Sequence, residues 1–298
     1  MKNGKLLLEI LQPGAIFLTL AGFSVGLGVA HYLGETIDWG HSLLVYAALV
    51  FLVWAKNLLR NYFDHPESFY SVLKNTHTRY TFLSGVKRLI LLNYGLLALT
   101  AATFLITLFA FRRGPDLSLT LIIVLIAALL LLTAIPPFSL QRKGFGELVE
   151  GIAMTGLIPL MALLLSNGTP HPVLAMLSLP VLLLFLAGKL AFSLRTYLED
   201  KNGGNPNLLN RLDWVRAMKL HNYLLIIAYL LIAFFGFIGL SWNLTWPMLT
   251  TFPLAVGEFL QIQDILNGGK PNWKMLEFSS GGLIGLVYYL QIFSLWTH

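Results

Sequence analysis

Cysteine is absent from this 298-residue chain, so no disulfide frames it and no thiolate can hold a metal. Charge is scarce as well. Asp, Glu, Lys and Arg make up 11% of the residues, against about 25% in a soluble domain. With 56% hydrophobic residues, the chain has too little polar surface to cover a water-soluble globule. Other signatures are missing too. Lys2 and Lys5 precede the apolar stretch Leu6 to Leu11, but no small-residue cleavage site follows, so no cleavable signal is expected. His65 and His77 have no companion at a metal-ligand spacing, which argues against zinc. Gly144-Phe145-Gly146 lacks a preceding strand and a third glycine, so it is no dinucleotide fingerprint.

What remains is a set of apolar runs, each long enough to cross about 30 Å of hydrocarbon. Nine spans are expected, near 13–33, 41–60, 88–111, 117–135, 147–166, 173–194, 219–240, 244–263 and 278–296. Turn chemistry marks the breaks: Arg112-Arg113-Gly114-Pro115-Asp116, Ser166-Asn167-Gly168-Thr169-Pro170 and Asn267-Gly268-Gly269-Lys270-Pro271. The fold class is all-α, a polytopic membrane protein forming a single transmembrane domain over 1–298.

The formal net charge of +6 does not point to nucleic acid, because basic residues in such a chain report orientation. Arg60, Lys74, Arg79, Lys87 and Arg88 follow span two, and Arg142 and Lys143 follow span four. Arg195, Lys201, Arg211, Arg216 and Lys219 follow span six, and Lys270 and Lys274 follow span eight. The other side carries only Arg112 and Arg113. This asymmetry places the N-terminus in the cytoplasm and the C-terminus outside, in a membrane expected to be the prokaryotic cytoplasmic one.

The two longest loops follow spans two and six, and both begin at acidic helix ends. Asp64 and Glu67 are three residues apart, and Thr196 and Asp200 four apart, so each pair shares a face if its helix continues. Glu199 adjoins Asp200. Carboxylates at a membrane–water boundary suit Mg²⁺, which takes oxygen ligands and is often completed by substrate phosphates. Arg60, Arg79, Arg142, Lys143, Arg195 and Lys201 supply cations for diphosphate oxygens. Lys189, inside span six, projects to nearly the same face as Thr196 and Asp200. It has two readings, a contact to the diphosphate or Asp200, and a structural pair with Glu147, Glu150 or Glu258. Ordinary interfacial charge is the plain alternative for all these residues. Glu258 in span eight is expected near the interface with no assigned role. Tyr62, Tyr80 and Tyr197 are read as interface packing or as cavity walls able to stabilise a cation.

The order of motifs resembles the UbiA superfamily of intramembrane prenyltransferases. Leu11-Gln12-Pro13 resembles its N-terminal start, and Arg60-Asn61-Tyr62-Phe63-Asp64 its first motif, Asn-Asp-Tyr-Phe-Asp. Leu83-Ser84-Gly85 resembles the segment before span three. Pro136-Pro137 through Gly144-Phe145-Gly146-Glu147 resembles the middle loop. Leu194-Arg195-Thr196 through Asp200, with Leu208 to Leu212, resembles the second motif. The long gap from Asp64 to Ser84 is most similar to the menaquinone branch, which prenylates dihydroxynaphthoate.

The resemblance implies nine helices around a lateral cavity, with Mg²⁺ as cofactor and a polyprenyl diphosphate and an aromatic acceptor as substrates. It implies Asp64 and Asp200 as catalytic residues, with Asp64, Glu67, Glu199 and Asp200 as the metal set. Arg60, Asn61, Arg79, Arg142, Lys143, Lys189, Arg195 and Lys201 would bind substrate. The chain departs from the pattern at several positions. Arg60 stands for an Asn, Asn61 for an Asp, Ser68 for a further Asp, Thr196 for the first Asp of the second motif, and Gln141 for a Lys. These departures also suit a non-catalytic relative that binds lipid or quinone, or serves as a subunit of a membrane complex.

Overall fold

A backbone crossing hydrocarbon finds no water, so each long apolar run must satisfy its own N–H and C=O groups as a helix. The computed structural model describes residues 13–64, 85–114, 116–141, 143–166, 169–202 and 212–297, with backbone alone at 64, 85–88 and 198–202. Every regular element among them is helical. In order these are α1 (Pro13–Tyr32), α2 (Trp39–Asp64), α3 (Gly85–Arg113) and α4 (Leu117–Ala134). Next come α5 (Gly146–Ile152), a π-helical turn (Ala153–Leu157) and α6 (Ile158–Leu165), which run on as one span. Then follow α7 (Pro172–Asn202), α8 (Trp214–Ile238), α9 (Trp242–Leu249), α10 (Phe252–Leu266) and α11 (Trp273–Thr297).

Eight helices among the described residues are long and apolar enough to cross a membrane. The eighth expected span, 244–263, is divided into α9 and α10 at Thr250 and Thr251. Proline is the cause. Pro253 has no N–H for the carbonyl of Leu249, the residue four before it. Side chains fill in around the break. The Thr250 and Thr251 hydroxyls donate to the carbonyls of Pro247 and Met248, at 2.6 Å each. Tyr229 of α8 meets the Thr251 hydroxyl at 2.6 Å.

The chain packs as two compact units, Met1–Leu20 with Trp39–Ser139, and Ala21–Asp38 with Leu140–His298. In the first unit α2 lies along α3, and α4 packs on α2. Gly95 lets α3 approach closely, since a Cβ there would sit 3.2 Å from Leu59. Asp116 caps α4 by accepting from the Leu119 N–H at 3.1 Å.

The second unit is organised around α7, which packs against α8, α11 and α5. Leu190, Leu194 and Tyr197 of α7 form a buried cluster with Ala217 and Met218 of α8, Ile262 of α10 and Leu276 of α11. In the same unit, Gly22 and Gly26 of α1 face the π turn and α6. A Cβ on Gly26 would lie 2.1 Å from the Pro159 carbonyl oxygen, and one on Gly22 2.5 Å from that of Met154. This is the small-residue spacing by which helices in lipid approach backbone to backbone.

That approach has a measurable consequence. Gly26→Ala should lower the thermal midpoint of the purified protein in detergent, with an overpacking cost of about 1–3 kcal/mol. Gly257→Ala, where nothing lies within 4 Å of the added carbon, should leave the midpoint unchanged or raise it slightly. Equal behaviour of the two variants would show that the α1–α6 approach is not close.

Candidate functional site

One candidate segment, in the first unit, is the last three turns of α2. The helix runs through Arg60, Asn61, Tyr62 and Phe63 to Asp64 without interruption, so the motif residues are helical and their faces follow from spacing. Arg60 and Asn61 are half-buried. Tyr62 packs edge-to-face on Phe63, with ring centroids 4.9 Å apart. One turn earlier lie two polar residues that the motif does not include. Lys56 is 2% exposed and Asn57 0%. Lys56 and Arg60 form one i, i+4 row and Asn57 and Asn61 the next, with the Asp64 position between the two rows. Both sit inside an apolar span, and only their spacing from Arg60 and Asn61 marks them in the sequence.

A separate candidate segment, in the second unit, is the C-terminal part of α7. Lys189 forms an ion pair with Glu150 of α5 at 3.0 Å. This is the structural pairing expected for Lys189, with Glu150 as the partner. Glu150 is 5% exposed and Lys189 34%, and the ammonium also lies 5.2 Å from the centre of the Phe185 ring. The pair therefore joins α5 to α7 below the turns that carry the second motif. Thr196 is half-buried and donates weakly to the Ser193 carbonyl at 3.5 Å. Arg195 turns toward α11, where Nη1 lies 3.1 Å from each carboxylate oxygen of Glu277. Tyr197 is buried; its hydroxyl donates to Asp213 at 3.3 Å and its ring packs on Trp214. It anchors the start of α8, which is the packing role.

The α7 helix continues through Glu199, Asp200 and Lys201 to Asn202, but their side chains, like that of Asp64, lie outside the described residues. So do Glu67, Arg79, Arg142 and Tyr80 entirely. Among the described residues no three His, Asp or Glu side chains gather as a metal site.

The middle loop folds back tightly. Gly144 adopts φ 72°, a conformation that favours glycine. The Gly144 and Phe145 amides donate to the carbonyls of Gln141 and Leu140, both at 3.0 Å. A Cβ on Gly146 would lie 2.6 Å from the Gln141 Cα. The turn leaves Lys143 exposed at its tip and starts α5 with the buried Glu147.

Glu258 is enclosed by protein. It is 1% exposed, and its Oε1 lies 2.8 Å from Nε2 of the fully buried His221 of α8. The Ser280 hydroxyl of α11 donates to the same oxygen, and His221 Nδ1 lies 3.1 Å from the Asn222 amide oxygen. No local pattern marks this group, because its members are separated by 37 and 22 positions.

No protein-family profile and no curated protein matches the sequence. Solved structures do match the fold. The structure of digeranylgeranylglyceryl phosphate synthase superposes with a TM-score of 0.64 at 18% identity, covering 100% of both chains. A UbiA homologue from Archaeoglobus fulgidus bound to GPP and Mg²⁺ gives 0.64 at 17% identity, covering 98% of this chain and 99% of that one. The same homologue bound to Cd²⁺ gives 0.56 at 16% identity, covering 95% and 98%. The chain is thus an integral membrane protein with the UbiA fold over essentially its whole length.

The Lys189–Glu150 pair can be tested for a purely structural role. Lys189→Met removes the ammonium that faces the buried Glu150 carboxylate and should destabilise the protein by up to about 3 kcal/mol. Adding Glu150→Gln should recover most of that loss. The thermal midpoints of wild type, both single variants and the double variant form the cycle that measures it.

Proposed function

We propose that this protein transfers a polyprenyl group from a prenyl diphosphate to an aromatic quinone precursor of the dihydroxynaphthoate type, in the membrane and with Mg²⁺. The observation that carries this reading is the coincidence of two sequence motifs with two helix ends in a UbiA fold. The acidic segments resembling the family's motifs fall on the C-terminal turns of α2 and α7. Structures of the same fold hold GPP, DMAPP and Mg²⁺. The whole chain is read as one prenyltransferase-like domain, with the N-terminus and the motif-bearing loops on the cytoplasmic side.

The donor chemistry at these ends fits the ion in part. Asp64, Glu67, Glu199 and Asp200 are the hard oxygen ligands Mg²⁺ requires, whereas Arg60 and Thr196 occupy positions where the family has further ligands. Bound Mg²⁺ would neutralise charge on the departing diphosphate. Asp64 and Asp200 would hold it, with Glu67 and Glu199 as supplementary ligands. Arg60, Asn61, Arg79, Arg142, Lys143 and Lys201 bind phosphate oxygens. Lys189 and Arg195 act through their pairs with Glu150 and Glu277 to fix the α7 face. Apolar helix walls exclude water from the allylic centre. The allylic C–O bond breaks, a ring carbon of the acceptor forms the new C–C bond, and that carbon then loses its proton.

Purified protein in lipid nanodiscs, given Mg²⁺, geranyl diphosphate and 1,4-dihydroxy-2-naphthoate, should form a prenylated naphthoate detectable by mass spectrometry. Asp64→Ala and Asp200→Ala should each lower turnover by at least about 100-fold, the scale of losing one charge-stabilising group. Absence of product with this acceptor and with glycerol-phosphate acceptors, while lipid or quinone co-purifies with the protein, would favour the non-catalytic binding role instead.

A further inference from the structure

We infer that Glu258, held by His221 and Ser280, is a positioning residue for the second-motif segment of α7. This rests on the proposed reaction only in taking that segment as a working part of the protein. All the groups involved belong to the second unit. Glu258 of α10 is 1% exposed, and its Oε1 takes two contacts: His221 Nε2 of α8 at 2.8 Å and the Ser280 hydroxyl of α11. His221 is itself fully buried. Three helices thus meet at one atom. Each member of the group stands one turn from a residue of the apolar cluster that seats α7. His221 follows Met218, Glu258 precedes Ile262, and Ser280 follows Leu276, at helical i, i+3 or i, i+4 spacing. The polar group is therefore the layer next to Leu190, Leu194 and Tyr197 of α7.

Apolar contact sets how far apart these helices lie. A Cβ on Gly188 of α7 would lie 2.6 Å from Ile284 Cδ1, so α7 and α11 approach closely. Such contact is non-directional and fixes axial height poorly. A buried polar group is directional, and fixing register is its best-attested use. The register matters one turn away on α11. There Glu277 precedes Ser280 and meets Arg195 at 3.1 Å, beside Thr196 of the second motif. Arg195 is 55% exposed and Glu277 28%, and a pair so open to solvent contributes little by itself. It follows the helices that carry it. A slip of α11 past its neighbours would move Glu277 by up to one turn, about 5 Å, and drag Arg195 or release it. Glu258 acts on the motif through Ser280 and Glu277, without touching a substrate.

Because the chain has no cysteine, spin labels can be placed at Lys201→Cys in α7 and Lys274→Cys in α11 without competing sites. Their separation, measured by double electron–electron resonance on the full chain in nanodiscs, reads the position of the α7 segment. The protein with His221, Glu258 and Ser280 intact should give one narrow distribution. The triple variant His221→Leu, Glu258→Leu, Ser280→Ala replaces the group by apolar side chains, an exchange that often leaves stability unchanged or raised. It should keep its thermal midpoint and yet broaden the distribution or add a second population. Ser280→Ala alone should do the same to a smaller degree. Glu258→Gln keeps an oxygen for both partners and should keep the narrow distribution. In unlabelled protein given Mg²⁺, geranyl diphosphate and 1,4-dihydroxy-2-naphthoate, Ser280→Ala should lower kcat by about 10- to 100-fold with KM little changed, the scale of a small misplacement. A narrow, unshifted distribution in the folded triple variant, or in Ser280→Ala should the triple variant not fold, would overturn the inference, because apolar packing alone would then position α7. The distance measurement uses no substrate, so an inactive wild type would count against the proposed function alone.

Discussion

No water reaches the middle of a bilayer, and every polar group placed there must find its partner inside the chain. That single constraint explains most of the polar architecture here. Hydroxyls of Thr19, Thr103, Thr107 and Thr155 donate to carbonyls four residues earlier in their own helices. Gln291 of α11 reaches across to the Leu177 carbonyl, next to the Met176 carbonyl that Pro180 leaves without its helical partner. The divided span is covered by Thr250, Thr251 and Tyr229. Larger charges obey the same constraint in pairs: Glu150 meets Lys189, and Glu258 is held by His221 and Ser280. The matching is incomplete: the Asn57 amide, the Trp54 indole nitrogen and the Tyr288 hydroxyl are among buried side-chain groups without a hydrogen bond.

The spans were legible because hydropathy over about 20 residues is a sum, and sums are robust to local detail. Each expected span lies within a few residues of an observed helix or helix pair. The same summation hid the break at Thr250, since Pro247 and Pro253 are apolar enough to pass unnoticed in a window. It hid Lys56 and Asn57 for the same reason. Side-chain pairing was legible only by direction. Spacing placed Lys189 on a face of α7, but three glutamates were available to it, and only packing selects Glu150. His221, Glu258 and Ser280 come from three helices distant in sequence, and no local pattern announces such a meeting. The motif ends were recognisable as residue order, and their helical continuation through Asp64 and Asp200 is visible in the backbone.

A fold retained at 17–18% identity over nearly the full length suits this manner of construction. Lipid-facing positions accept any large apolar residue, and many do so here, from Phe111 to Phe237 and Phe278. Packing constrains fewer positions, such as the glycines at close approaches, Gly26 and Gly146, and the members of buried polar pairs. Similarity confined to scattered positions escapes a sequence profile while the backbone path survives.

The π turn at Ala153–Leu157 shows how such drift proceeds. Pro159 cannot supply the N–H that the Thr155 carbonyl would otherwise receive, and the Ile158 N–H bonds the Ala153 carbonyl five residues back. A π turn amounts to one residue inserted into an α-helix. The span therefore changes phase in its middle: Gly151 faces Leu182 and Phe185 of α7 before it, and Pro159 and Ala162 face α1 after it. A relative with an unbroken helix here would be one residue shorter between two otherwise superposable faces. Any alignment of such sequences must open a single-residue gap inside a membrane span, where gaps are ordinarily forbidden. Without that gap, one of the two faces is compared with the wrong side of the helix.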